Sequence, residues 1–115
     1  MRHRQLRRFP NLGAQRLAEE IQSLEGKLGD ARLVVNMAAA TEEEFVEMAS
    51  LFQGAGADAL ELVLMGCQNY SSAPGMGAQV RNDDPEKAFR LMEKVRKAVT
   101  IPILVTVKAH PRSLA

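Results

Sequence analysis

The sequence lacks several features that would assign a class of protein at once. A single cysteine excludes an intramolecular disulfide and indicates a reducing compartment, with the cytoplasm as the default. No apolar run approaches the roughly 20 residues of a membrane-spanning helix, so we expect no membrane partner. The formal net charge is only +1, which gives no indication of nucleic-acid binding. The 115 residues allow at most one small domain.

The residues near the two ends of the chain give no indication of nucleic-acid binding or of a metal site. The first eight residues, MRHRQLRR, carry four arginines but have no aromatic neighbours. We interpret residues 1–8 as a basic tail, solvated or severed from a longer protein, and residues 9–115 as the folded segment. His3 and His110 lie far apart with no ligand spacing around them, so we expect no metal site.

What is present is an alternation of helical and strand-like apolar patterns. The predicted helices cover 14 to about 27, a stretch beginning at Thr41, and a stretch beginning near Pro85. The predicted strands cover 33–37, 59–64 and 101–107. Thr41 followed by Glu44 matches a capping box, and a proline is favoured in a first helical turn. Alternation of this kind predicts a parallel sheet with right-handed crossovers.

The apolar spacing also predicts which side chains each helix buries. The predicted buried positions are, in chain order, Ala14, Leu17, Ala18, Ile21, Leu24 and Leu28, then Phe45, Met48, Ala49 and Phe52, then Phe89, Met92, Val95 and Val99. Three strands leave two sheet edges open, and an eight-stranded βα barrel needs roughly 250 residues. We therefore predict an α/β fold with three parallel strands alternating with three helices, which is either about three units of such a barrel or an open doubly wound sheet.

In a parallel α/β sheet, chemistry gathers where the strands end. The segment after the second predicted strand, 65–84, is longer than most βα connections and is therefore a candidate binding loop. It contains Cys67, which is either a small buried thiol or a catalytic group. Asn11 is either a helix cap or a ligand contact, and Asn69 either a loop residue or a ligand contact. Asn36 lies inside a strand and either bonds to its neighbours or contacts a ligand.

Four segments, in order and with sensible spacing, resemble one protein family. They are FPNLG (9–13), LVVNMAAATEEEF (33–45), GADALELVLMGCQN (56–69), and GMGAQVRNDDPE (75–86) with VRKAVTIPILVTVK (95–108). The family is the dihydroorotate dehydrogenases, with the flavin domain of dihydropyrimidine dehydrogenases as close kin. The resemblance covers nearly the whole chain after the basic tail.

The resemblance implies an FMN-containing barrel, so that this chain would be a partial TIM (β/α)8 barrel. It also implies transfer of a hydride between a dihydropyrimidine, of the dihydroorotate or dihydrouracil type, and the flavin. It implies that Cys67 is the acid or base at the adjacent carbon. Asn11 and Asn69 match positions that hold the pyrimidine, since an amide offers both a donor and an acceptor. Lys108 and Asn36 would lie beside the cofactor, where a cation can stabilise the reduced ring.

The chain departs from the family pattern at four positions, two of which are Met65 or Gly66 in place of a serine and Gln68 in place of the proline after the cysteine. The asparagine that precedes the cysteine in the family falls at Val63 or Leu64, depending on where a one-residue gap is placed. Counting without a gap from Pro102 puts the family's lysine at Thr106, two residues before Lys108. We therefore expect a fragment or a divergent member of the family, inactive as this chain alone. The alternative is a non-catalytic α/β binding or self-assembly module, whose open edges would be completed by another copy or by the remainder of a barrel.

Overall fold

The computed structural model describes residues 10–64 and 85–106, and the side chains from 13 onward within those ranges. The element order is α1 (Pro10–Ser23), β1 (Val34–Met37), α2 (Glu42–Ala55), β2 (Ala59–Val63), α3 (Pro85–Ala98) and β3 (Ile103–Thr106). The strands form one parallel sheet in the order β1-β2-β3. The predicted α/β alternation of three parallel strands and three helices is confirmed. None of these helices is both long enough and apolar enough to cross a membrane.

The second helix begins and ends where local sequence dictates. Thr41 has extended backbone angles, and its hydroxyl accepts a hydrogen bond from the Glu44 amide at 3.2 Å, while the Glu44 carboxylate accepts from the Ala40 amide at 3.1 Å. These bonds satisfy two amide donors at the helix start. At the other end Gly56 adopts a φ of +120°, which side-chain-bearing residues rarely adopt, and its amide bonds back to the Phe52 and Gln53 carbonyls.

The first helix lies earlier in the chain than its apolar spacing predicted. It ends at Ser23 rather than near Lys27, because the bonds that follow are tighter turns from each amide to the carbonyl three residues back. Gly26 and Gly29 both have positive φ and close those turns. The predicted stripe holds for Ala14, Ala18 and Ile21, which are buried, whereas Leu17 and Leu28 are partly exposed.

One hydrophobic core unites the three helices with a single face of the sheet. Leu60, Leu62 and Leu64 of the central strand region are almost completely buried, and the neighbouring strand contributes Val35 and Met37. Phe45 and Phe52 of α2 are buried in the same core, where removal of such a side chain from water stabilises the fold by about 1.5–3 kcal/mol.

The third helix buries a different side from the one predicted. Its buried side consists of Ala88, Leu91 and Val95, whereas Phe89 is 59% exposed. The prediction that Phe89 lines the core is therefore wrong. Positions 88, 91 and 95 define a helical stripe of their own, and a residue next to Ala88 turns about 100° away from it.

The other face of the sheet has no helix over it among the described elements. Val34 and Leu104 on that face are 50% and 52% exposed, although both lie in strands. We call this surface the open face, and its members are Val34, Asn36, Ala59, Glu61, Val63, Leu104 and Thr106. The strands are thus buried on one side only, whereas parallel sheets usually have both faces covered.

Side-chain hydrogen bonds connect the elements across the covered side. The Gln53 side-chain oxygen accepts from the backbone amides of Thr100 and Ile101, at 2.7 and 3.1 Å, and so ties α2 to the segment before β3. Glu42, at the start of α2, is almost completely buried and accepts from Lys94 at 2.8 Å and from Arg90 at 3.2 Å. These contacts fix the spacing of α2 and α3 beneath the sheet.

Candidate functional site

The carboxyl ends of the three strands lie side by side at the same end of the sheet, because all three strands run parallel. Met37, Val63 and Thr106 are the last residues of β1, β2 and β3. Three of the predicted site residues, Cys67, Asn69 and Lys108, lie outside the described residues. Asn11 is the second residue of α1, so it lies within the helix rather than before it, and its side chain is also outside the described part.

Two of the strand ends do contribute polar side chains, and both converge on Glu61. Asn36 Nδ2 donates to Glu61 Oε1 at 3.0 Å, and Thr106 Oγ1 donates to Glu61 Oε2. Strand register explains the first contact, since Asn36 pairs directly with Glu61 across β1 and β2. Thr106 pairs with Val63, one row nearer the carboxyl edge, and reaches Glu61 diagonally. The polar cluster Asn36–Glu61–Thr106 therefore spans all three strands of the open face.

The hydrogen bonds set the ionisation of the central carboxylate. The bond from Thr106, and then the bond from Asn36, lower the pKa of Glu61 below its ordinary value, against a smaller opposing effect of desolvation. Glu61 is therefore ionised at neutral pH. A carboxylate of lowered pKa is a weak base and no proton donor, so its chemistry is that of a fixed acceptor with one negative charge.

The apolar positions around the cluster give it a defined border. Leu104 lies in the same row as Asn36 and Glu61, and Val34 lies one row further from the carboxyl edge. Because both aliphatic side chains are half exposed, a planar molecule laid on this face would contact them while meeting the carboxylate. The open face thus presents aliphatic surface and hydrogen-bond acceptors side by side.

Strand alternation distinguishes the two positions at which the family pattern would put its asparagine. Val63 belongs to the open face and pairs with Thr106, whereas Leu64 is 1% exposed and packs in the core. Only Val63 is placed to meet a molecule on the open face. The position given by ungapped counting for the family's lysine, Thr106, lies on the same face.

The open face and the starts of α2 and α3 offer no described group suited to a phosphate such as that of FMN. Asn36 offers an amide on the open face, but an anionic phosphate needs a cation or a receptive helix start. The first turn of α2 carries three carboxylates, Glu42, Glu43 and Glu44, and that of α3 carries Glu86. No described residue of the open face is cationic. Within the described ranges, no group of three or more His, Cys, Asp or Glu side chains could hold a metal ion.

Two hollows lined by described residues lie away from the polar cluster. A cavity of about 290 Å³ lies near the amino-terminal ends of the strands. It is lined by the carboxyl ends of α1 and α2 and by residues that precede the strands, such as Leu33 and Asp58. A shallow groove of about 530 Å³ runs between α1 and α2, beside Val46 and Leu51. The Asp58 carboxylate already accepts from the Leu33 amide at 2.8 Å, so it supports the chain entering β1 rather than offering a vacant ligand.

Sequence reasoning missed Glu61. Its signal was available, because Glu61 is the one charged residue in the apolar run ALELVL, and strand alternation puts it on the face away from the three leucines that face the core. A charged side chain in such a run must leave the core or find partners within it. Glu61 leaves the core, and on the open face it accepts two hydrogen bonds.

Comparison with known proteins assigns no family to this arrangement. No protein-family model matches the chain, and no curated protein sequence matches it. Function must therefore be inferred from the residues and their geometry.

Proposed function

We propose that this chain is a fragment or divergent member of an FMN-dependent oxidoreductase family, the dihydroorotate and dihydropyrimidine dehydrogenases, which acts on a dihydropyrimidine ring. The observation that carries the proposal is the open face, on which a polar cluster from all three strands lies against half-exposed aliphatic side chains. The ordered resemblance of the segments that contain PNLG, Cys67 and Lys108 supports the choice of family.

The sheet order supports a barrel segment over a doubly wound sheet. In a doubly wound sheet the strand order reverses and helices cover both faces. In a barrel each strand follows its predecessor, the helices form an outer layer, and the other strand face lines the interior. The sequential order β1-β2-β3, with the described helices on one side, fits the second arrangement. In this proposal the open face is part of a barrel interior.

Each predicted site residue has a role in this proposal. Cys67 is the proton donor or acceptor at the pyrimidine ring, and Asn11 and Asn69 bond to the ring's amide edge. Asn36 and Lys108 lie beside the flavin. Because the starts of α2 and α3 are acidic and no described residue of the open face is cationic, we assign the flavin phosphate to other residues of this chain or to residues outside it. This chain alone is then catalytically inactive.

The test is the visible spectrum of the protein purified from its native host, together with the coding sequence on both sides of this chain. We expect bound flavin, and further βα units encoded beside the chain. Cys67→Ser should retain the flavin but slow its reduction by a dihydropyrimidine by about 100-fold or more, because a serine hydroxyl is a much weaker acid than a thiol. A protein that stays colourless after incubation with FMN contradicts the proposal.

A second candidate function is a non-catalytic module that self-assembles or binds a partner. It is favoured by Val34 and Leu104, whose half-exposed side chains lie on the open face, and by β1 and β3, each of which pairs only with β2 among the described strands. Sedimentation at several protein concentrations separates the two functions. A stable monomer eliminates self-assembly, whereas a defined oligomer without flavin favours it over the oxidoreductase.

A further inference from the structure

The carboxylate of Glu61 occupies the middle of the open face. It lies on the central strand, with Asn36 beside it on one side and Leu104 on the other. A molecule that covers enough of this face to contact the half-exposed Val34 and Leu104 must also approach Glu61. The charge of this one side chain therefore acts on any occupant of the face.

Glu61 is held in place by one donor from each neighbouring strand. Asn36 bonds to one carboxylate oxygen and Thr106 to the other, so the group cannot turn away without breaking two bonds. A carboxylate that is fixed in advance loses little conformational entropy on binding a ligand. It also cannot easily retreat from an unfavourable one.

Counting the hydrogen-bonding groups shows what the cluster still offers. A carboxylate has about four acceptor sites, of which two are used here. The Asn36 side chain has its carbonyl oxygen and one further N–H, and Thr106 has its oxygen lone pairs. Acceptors therefore outnumber donors, and among the described open-face residues Glu61 carries the only charge.

We propose that Glu61 is a specificity-determining residue of the open face, one that accepts N–H donors from an uncharged ring and rejects anionic ligands. This inference rests on the proposed function and narrows its substrate to an uncharged dihydropyrimidine of the dihydrouracil type, because dihydroorotate carries a carboxylate that Glu61 would repel. A carboxylate bonded to an N–H gains a charge-assisted hydrogen bond, and a ligand carboxylate about 4 Å away meets like-charge repulsion.

Calorimetric titration of the full chain with uracil and with orotate tests this inference, because orotate is the same ring with an added carboxylate. We expect wild-type protein to bind uracil at least about fivefold more tightly than orotate, the ratio that one repulsive pair in water provides. Glu61→Gln should bring the ratio close to one. Glu19→Gln, which removes an equal charge from an exposed position of α1, should leave it unchanged.

A second measurement follows the carboxylate itself. Thr106→Val removes the donor with the larger effect on Glu61, so the pKa of Glu61, read by NMR titration, should rise. The inference is overturned if orotate binds as tightly as uracil, if Glu61→Gln leaves the ratio unchanged, or if neither ring binds. Selective binding of uracil by a protein that carries no flavin would refute the oxidoreductase proposal alone, and bound flavin without selectivity would refute the role of Glu61 alone.

Discussion

The buried carboxylate of Glu42 gives the most sharply defined stability prediction. Its side chain is 5% exposed, whereas those of its partners Arg90 and Lys94 are 53% and 45% exposed. Replacement by glutamine removes the charge and leaves two cations that water can solvate. Hydrogen bonds to charged groups contribute about 1.5–3 kcal/mol, and exposed ion pairs less than about 1, so we expect Glu42→Gln to lower the free energy of unfolding by about 1–2 kcal/mol at pH 7.

Removing the two cations should lower the free energy of unfolding by more than removing the carboxylate does. Arg90→Met with Lys94→Met leaves a buried negative charge without either cation, a change that costs about 3–5 kcal/mol when ion pairs are broken in this way. In that background Glu42→Gln should lower the free energy of unfolding by less than it does in wild type, because the bonds from Arg90 and Lys94 are already gone. The effects of the substitutions are therefore not additive.

The pH dependence follows from the pKa of Glu42. Burial raises this pKa, but the hydrogen bonds from Lys94 and Arg90 and the charges of both outweigh it, so the pKa lies below its ordinary value of 4.5. A group whose pKa is lower in the folded than in the unfolded state stabilises the fold above the unfolded value. The advantage of wild type over Glu42→Gln should thus be complete at pH 7 and disappear as the pH falls below about 4.5.

Urea denaturation at several pH values measures these differences. Glu43→Gln is the matched control, since Glu43 is an exposed neighbour in the same helical turn and shares the helix-dipole contribution. The reasoning is refuted if Glu42→Gln costs no more than Glu43→Gln, or if it destabilises both backgrounds equally.

Three further substitutions test other parts of the fold by the same denaturation measurement. Leu62→Ala, on the covered face, should cost about 2–5 kcal/mol, whereas Leu104→Ala, on the open face, should cost less than about 1; equal costs would mean that the open face is covered. Val63→Asn should lower the free energy of unfolding by about 1 kcal/mol, and Leu64→Asn by about 3 kcal/mol or more. The reverse order would mean that Val63, and not Leu64, faces the core. Thr41→Ala should lower the free energy of unfolding by about 1 kcal/mol, because it removes the helix cap. An unchanged stability would mean that the cap does not stabilise the helix.

The elements set by neighbouring residues were predictable from the sequence. Thr41 and Glu44 are three residues apart, and the cap they form needs nothing from the rest of the chain. The alternation of strands and helices followed from apolar spacing in the same way. Both predicted ends of α1 were wrong by about four residues: the helix starts at Pro10 rather than Ala14, and it ends at Ser23 rather than near Lys27, where tight turns take over the amides.

Features that depend on distant parts of the chain were not predictable. Phe89 and Leu91 both fit a helical apolar stripe, and only the packing of α3 against α2 decides that Leu91 is buried. The contacts of Glu61 span 25 residues to Asn36 and 45 residues to Thr106. They require the strand order and register, neither of which is encoded in the local spacing. The roles of Cys67, Asn69 and Lys108 stay predictions.

The most direct test of the central claim, that the open face is the ligand-binding face, is NMR titration of the isotope-labelled full chain with uracil. We expect the largest chemical-shift changes at Asn36, Glu61 and Thr106, with little change at Leu60 and Leu62 on the covered face. Shifts confined to the cavity beside Leu33 and Asp58, or no shifts at all, would contradict it.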